Sequence, residues 1–209
     1  MNSDIKEEMN YMNNQTIKCS ENVMQNVSGQ IFRPEGTRII YINGAITDEL
    51  AYQFNLMLLS LEQVSPDEDI TVYINSPGGS GSAGLSMIDT MDIVSCDIRT
   101  VCVGLAASMG AWLLMCGTKG KRMALPHSRV MLHQPLGSMG SGLSQVSDIK
   151  LFADEMLRTK TEMFELVAQR TGQNIKKIAK DCERDFTMTS AEALEYGVID
   201  AILKPHRAV

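Results

Sequence analysis

"IRTVCVGLAASMGAWLLMC", residues 98–116, decides how the chain is read. Its first half, "IRTVCVGLA", is apolar and β-branched, which suits a buried strand. Its second half, "SMGAWLLMC", predicts a helix behind it. Ser108 stands at the joint, with Ala106 and Gly110 two places to either side. Small flanking residues let a backbone turn sharply and leave a hydroxyl at a helix start, the logic of a nucleophile elbow. The positive end of a helix dipole there favours developing negative charge. A plain N-cap serine reads the same way locally, so the rest of the chain must supply the partners.

The strand-then-helix order recurs outward on both sides. Upstream, "TRIIYI" (37–42) predicts a strand and "TDELAYQFNLMLLSLEQV" (47–64) a helix capped by Thr47. "DITVYIN" (69–75) is a second β-rich run, broken by "SPGGSGSAG" before a helix over roughly 83–94. Downstream, "GTKGKRMALPHSRVMLHQP" (117–135) predicts two short strands around a turn at Pro126. "LGSMGSGLSQ" (136–145) is flexible or a bulged strand. A long helix follows over about 146–170, closed by Gly172 as its C′ residue. Ile149, Phe152, Met156, Leu157, Met163, Phe164, Leu166 and Val167 cover more than one stripe of it, which suits a helix burying a second face against another subunit. "TSAEALEYG" (189–197) is a capping box, Thr189 with Glu192, ended by Gly197, and "VIDAIL" (198–203) is a last strand. Alternating strands and helices argue for an α/β layered fold with mainly parallel strands. No repeat or linker divides residues 31–205, so one domain, 31–209, follows a flexible tail or leader over 1–30.

Composition narrows the class. The chain has 209 residues, 44% apolar and 21% charged, which is globular. A net charge of −6 argues against nucleic acid or an anionic membrane as the main partner. No apolar run matches a bilayer span, and "MNSDIKEEMNYMNNQ" has neither a secretory nor a mitochondrial pattern, so a soluble, cytoplasmic protein is expected. Five cysteines, an odd number without a C-x-x-C, predict reduced and mostly buried thiols. No metal-ligand cluster or cofactor motif is present: His127 and His133 lack a partnering carboxylate or thiol at useful spacing.

Reactive groups in α/β proteins gather where strands hand over to helices. Besides Ser108, "SPGG" leaves Gly78 and Gly79 without side chains, so backbone N–H groups can approach a ligand. With Met109 N–H, Gly79 N–H forms a candidate oxyanion pair. Of three histidines, His206 lies in the tail and His127 in a turn, while His133 closes the apolar strand "RVMLH" and is the candidate base. Asp185 in "CERDFTM" is one of many possible orienting acids, and position alone does not single it out.

Taken together, "DITVYINSPGG", "AGLSMIDTM", "GLAASMGAWLLMCGTKGKRMALPHSRVMLHQPLG", "TGQ", "ERDF" and "EALEYGVIDAIL" resemble the proteolytic subunits of the Clp protease, over roughly residues 38–203. The resemblance implies a serine endopeptidase with Ser108 as nucleophile, His133 as base, Asp185 as orienting acid, and Gly79 and Met109 as oxyanion donors. It implies a crotonase-like (ClpP-like) fold of stacked β-β-α repeats with a protruding handle, here about 137–170. It also implies two stacked seven-membered rings enclosing the active sites, an AAA+ unfoldase feeding unfolded polypeptide through axial pores, and no cofactor. An extended substrate would pair its backbone with the segment after Gly79, giving Gly78, Ser80, Gly81 and Ser82 as substrate-binding positions.

Four departures from the family pattern stand out. "SGSAG" replaces a β-branched pair before "AG", which softens a substrate-pairing strand at Gly81–Ser82. The Gly-rich stretch before the long helix is longer than usual. Thr71 stands where an aromatic residue is common, beside the cleft that receives unfoldase loops. The usual axial-gate segment is not recognisable in residues 1–37. These suit a subunit that works with a second subunit type, and they keep open the alternative of a weakly active scaffold in a mixed ring. An acyl-CoA enzyme shares the fold but uses carboxylates, so a paired serine and histidine argue against it.

Overall fold

The computed structural model describes residues 31–140 and 142–204. The expected leader over 1–30 and His206 lie outside them. In chain order the elements are β1 (Ile31–Phe32), β2 (Ile39–Asn43), α1 (Asp48–Val64), β3 (Ile70–Ser76), α2 (Gly81–Ile93), β4 (Ile98–Ala107), α3 (Met109–Met115), β5 (Arg122–Ala124), β6 (Arg129–Leu132), α4 (Val146–Thr171), α5 (Ile175–Asp181), β7 (Phe186–Thr189), α6 (Ser190–Tyr196) and β8 (Ala201–Ile202). The strands form one mixed sheet ordered β1-β2-β3-β4-β5-β8, with β6 beside β4 and β7 beside β6. Among the described residues only the β1–β2 and β6–β7 pairs are antiparallel.

Alternation sets the core. In β3, Ile70, Val72, Ile74 and Ser76 are buried while Thr71, Tyr73 and Asn75 are half-buried on the other face. The buried face receives α1 through Leu50, Phe54, Leu58 and Leu61, spaced along one helical stripe. Thr47 caps α1 as the sequence predicts, its hydroxyl accepting from Leu50 N–H. Every residue of α3 is buried, with Trp112 2% exposed. On the half-buried face, Tyr41 and Tyr73 stack across β2 and β3, ring centroids 6.0 Å apart.

β4 shapes the site. Its first half pairs with β5 through Thr100–Cys102, and its second half pairs with β6 through Leu105–Ala107. The two short strands around Pro126 therefore line up on one strand rather than on each other. Between the halves, pairing with β3 slips from Ile74↔Cys102 to Ser76↔Ala106. Gly104 sits in that slip with φ +82°, and Asn75 Oδ1 takes up the Leu105 N–H at 3.3 Å. The bend carries Ala106–Ser108 toward the end of β6, where His133 lies.

The long helix matches its expected span and ends at Gly172 in the left-handed conformation, φ +76°. Of its residues only Phe164 and Val167 are buried; Ile149, Leu151 and Leu157 are at least half exposed, so its N-terminal part carries an exposed apolar face. The Gly-rich stretch before it forms no strand among its described residues. The Thr189–Glu192 capping box is present, with Gly197 as its left-handed stop. Cys96, Cys102, Cys116 and Cys182 are free and buried. Burial pushes the Cys102 and Cys182 thiols up to about 11 and the Cys116 thiol up to about 12, which leaves them protonated and unreactive near neutral pH.

Candidate active site

Ser108 is the one non-glycine residue with positive φ among the described residues, at φ 53°, ψ −125°. An L-residue holds such a conformation only where its surroundings force it. Three bonds do so here: Ser108 N–H donates to Met131 C=O at 2.9 Å, and Ser108 C=O accepts from Ala111 and Trp112 N–H at 2.9 and 3.2 Å. The first ties the joint to β6 and the others commit it to α3. Close approach demands the neighbouring glycines. A Cβ on Gly110 would lie 2.9 Å from Ser76 C=O, and one on Gly78 would lie 2.6 Å from Ser108 Cβ and 3.0 Å from Met109 N. Ser108 Oγ caps nothing, so the plain N-cap reading fails and the half-exposed hydroxyl is free for chemistry.

Gly79 is fixed from behind. It forms a parallel bridge with Ile46, in which Ile46 N–H donates to Gly78 C=O at 2.9 Å and Ser80 N–H to Ile46 C=O at 2.8 Å. Gly79 N–H therefore points away from Ile46. Met109 N–H is the first of α3 and has no partner within the helix. Neither N–H makes a hydrogen bond among the described residues. A Cβ on Gly79 would collide with the Ile46 backbone. Gly79→Ala is therefore expected to displace this N–H and to lower the melting temperature, which a thermal unfolding curve measures.

Ser108, Met109, Gly79 and His133 line one cavity of about 340 Å³. Pro77, Pro135 and Leu136 supply apolar wall, and Met156, Thr159 and Met163 reach in from α4. Gly81 also faces this cavity, but Ser82 lines a separate groove between α1 and α2. Both already belong to α2, so the extended stretch after Gly79 ends at Ser80. By sequence Met156 and Met163 fall on an apolar stripe for the core or another subunit and Thr159 is passed over; none is placed at the site, although their spacing puts all three on one helical face.

Asp185 approaches from β7. The β6–β7 register pairs Leu132 with Phe186, so one step further along the same ladder His133 stands opposite Asp185. The side chains do not meet. His133 Nδ1 lies 2.5 Å from its neighbour Gln134 C=O, and Asp185 is exposed with no hydrogen bond or ion pair among the described residues. Ser108 and His133 share the cavity but form no hydrogen bond. Among the described residues no cluster of three His, Cys, Asp or Glu is placed to hold a metal, and no helix is long and apolar enough to cross a membrane.

A sequence profile of Clp proteases matches residues 10–206. The chain belongs to the Clp protease family. It is 48% identical over 170 residues to the "ATP-dependent Clp protease proteolytic subunit" of Porphyromonas gingivalis (strain ATCC BAA-308 / W83), covering 81% of this chain and 75% of that protein. The expected fold and enzyme class hold: the α/β architecture is that of the Clp protease fold, and the chain is a proteolytic subunit of the serine endopeptidase class.

Proposed function

We propose that Ser108, His133 and Asp185 are the catalytic triad, with Gly79 and Met109 N–H as the oxyanion hole. The observation that carries this is the Ser108 joint: a strained, uncapped hydroxyl in one cavity with His133 and two unpaired N–H groups. In the reaction His133 Nε2 takes the Ser108 proton as Oγ attacks the scissile carbonyl carbon. The carbonyl electrons move onto oxygen, where the two N–H groups meet them. Collapse breaks the C–N bond, and the amine leaves with the proton from His133. Water, deprotonated by the same imidazole, then hydrolyses the acyl-enzyme. Asp185, opposite His133 in the register, holds Nδ1–H during both proton transfers once the imidazole turns from Gln134 C=O toward it.

The apolar cavity walls receive an extended, unfolded chain, whose backbone pairs with Gly78–Ser80. The subunit works in the cytoplasm within two stacked heptameric rings. A Clp ATPase of the AAA+ class docks on the ring and feeds unfolded protein into the chamber. The relative's name, with its ATP-dependence, supports that partner, and the exposed apolar face of α4 supports burial between subunits. The test is labelling of the purified assembly by a fluorophosphonate, followed by casein degradation with and without a Clp ATPase. Labelling of wild type that vanishes in Ser108→Ala supports the assignment. Absence of labelling in every assembly overturns it and returns the scaffold alternative.

A further inference from the structure

Lys160 is a half-buried lysine on α4 that forms no ion pair among the described residues. Its ammonium instead donates to Gln134 Oε1 at 2.8 Å. It also lies 5.5 Å from the centroid of Phe164, a core residue one turn on. A long side chain gives up considerable rotamer freedom when fixed in this way, and contact with an aromatic face offsets part of that loss.

Its acceptor is a junction. Gln134 N–H donates to Cys182 C=O at 2.8 Å and Gln134 Nε2 to Glu183 C=O at 3.1 Å. Gln134 C=O faces His133 Nδ1 at 2.5 Å, and Oε1 takes Lys160. Every hydrogen-bonding group of Gln134 is thus engaged, and three parts of the fold meet in it: α4, the segment between α5 and β7, and the strand end carrying His133. The bonds to Cys182 and Glu183 anchor one side of the residue. The bond to Lys160 is the one link to α4, and without it the side-chain oxygen is left unpaired at the cavity wall.

We infer that Lys160 is a positioning residue for His133: by anchoring Gln134 it holds in place the backbone from which the imidazole turns, and so ties the register of α4 to the proton transfer at Ser108. The inference rests on the assignment of His133 as the base. It does not make Lys160 catalytic, because its ammonium reaches Gln134 and not the reacting atoms.

The experiment uses the assembled full chain. Lys160→Met keeps the stem over Phe164 and removes the donor. Its kcat on a short fluorogenic peptide is expected to fall about 10- to 100-fold, the scale of a small misplacement in a catalytic constellation. KM stays close to wild type, and the rate constant for fluorophosphonate labelling falls with kcat while the labelled fraction stays complete. Lys160→Arg, which can still donate to Oε1, restores most of the rate. Gln134→Met reproduces the loss with Lys160 intact, and the double variant is no worse than the poorer single one. An unchanged kcat in Lys160→Met, a loss that arginine does not repair, or additive losses in the double variant would overturn the inference. If Lys160→Met does not assemble, Gln134→Met beside Lys160→Arg decides alone: loss in the first with retention in the second supports coupling through the amide, and equal rates refute it. Labelling of wild type at Ser108 together with an unaffected Lys160→Met sinks this inference only, whereas absent wild-type labelling sinks the triad.

Discussion

Ser108→Ala is expected to lower peptide hydrolysis by about 10⁴- to 10⁶-fold, the range for removal of a triad nucleophile, while the fold survives. Both halves of that expectation come from the same geometry. The backbone at Ser108 is held by bonds from its own N–H and C=O, to Met131 on one side and to Ala111 and Trp112 on the other. Alanine keeps all three. The hydroxyl itself caps nothing, so its removal breaks no bond that supports α3. The positive φ is strained for serine and alanine alike, and the strain cancels between them. Peptide turnover and a melting curve on the same preparation check the two halves together. Near-wild-type turnover would mean that the hydroxyl is not the nucleophile, and a collapsed melting transition would mean that it stabilises the joint in a way its contacts do not show.

What the sequence disclosed was whatever chemistry is local. Thr47, the Thr189–Glu192 box and Gly172 announced helix ends because capping is settled within one turn of the chain. The β4–Ser108–α3 joint was legible because apolar content and small flanking residues together leave few alternatives. Short elements escaped: β1 has two residues and α5 seven, too few for a period to show, although Asn174 does cap α5. Pairing escaped too. Nothing local tells Arg122–Ala124 and Arg129–Leu132 to divide one strand between them; that depends on the bend at Gly104. The Gly-rich stretch at 136–145 was open to a strand, yet no neighbouring strand of the chain runs beside its described residues. At the site, Ser108, His133 and the two N–H groups were readable as residue types at strand ends. The facing of Asp185 and His133 needed the β6–β7 register, and the turn of the imidazole onto Gln134 C=O needed atoms.

The second large effect lies away from the cavity. Arg122 is buried, 4% exposed, and Asp200 neutralises it: Asp200 Oδ1 meets Nη2 at 2.6 Å and Oδ2 meets Nε at 2.9 Å. The same carboxylate accepts Arg122 N–H at 3.0 Å and Gly120 N–H at 2.8 Å. The guanidinium in turn donates to Met115 and Arg170 C=O, at the C-terminal ends of α3 and α4. Asp200→Ala therefore leaves a buried cation without its counter-charge where α3, α4 and β5 meet, and the expected loss is about 3–5 kcal/mol by denaturant unfolding. Acid acts on the same bond. Burial by itself raises the Asp200 carboxyl, but hydrogen bonds and charge from Arg122, with the Gly120 N–H, outweigh it and hold the group below its ordinary value of 3.8. A carboxylate depressed in the folded state contributes stability that is complete above its unfolded value and is lost as pH falls through the folded one. Wild type is thus expected to lose this contribution only below about pH 4, whereas Asp200→Asn starts from lower stability and shows a shallower acid decline. An Asp200→Asn chain as stable as wild type at pH 7, or one with the same acid slope, would show that the Arg122 charge is compensated elsewhere.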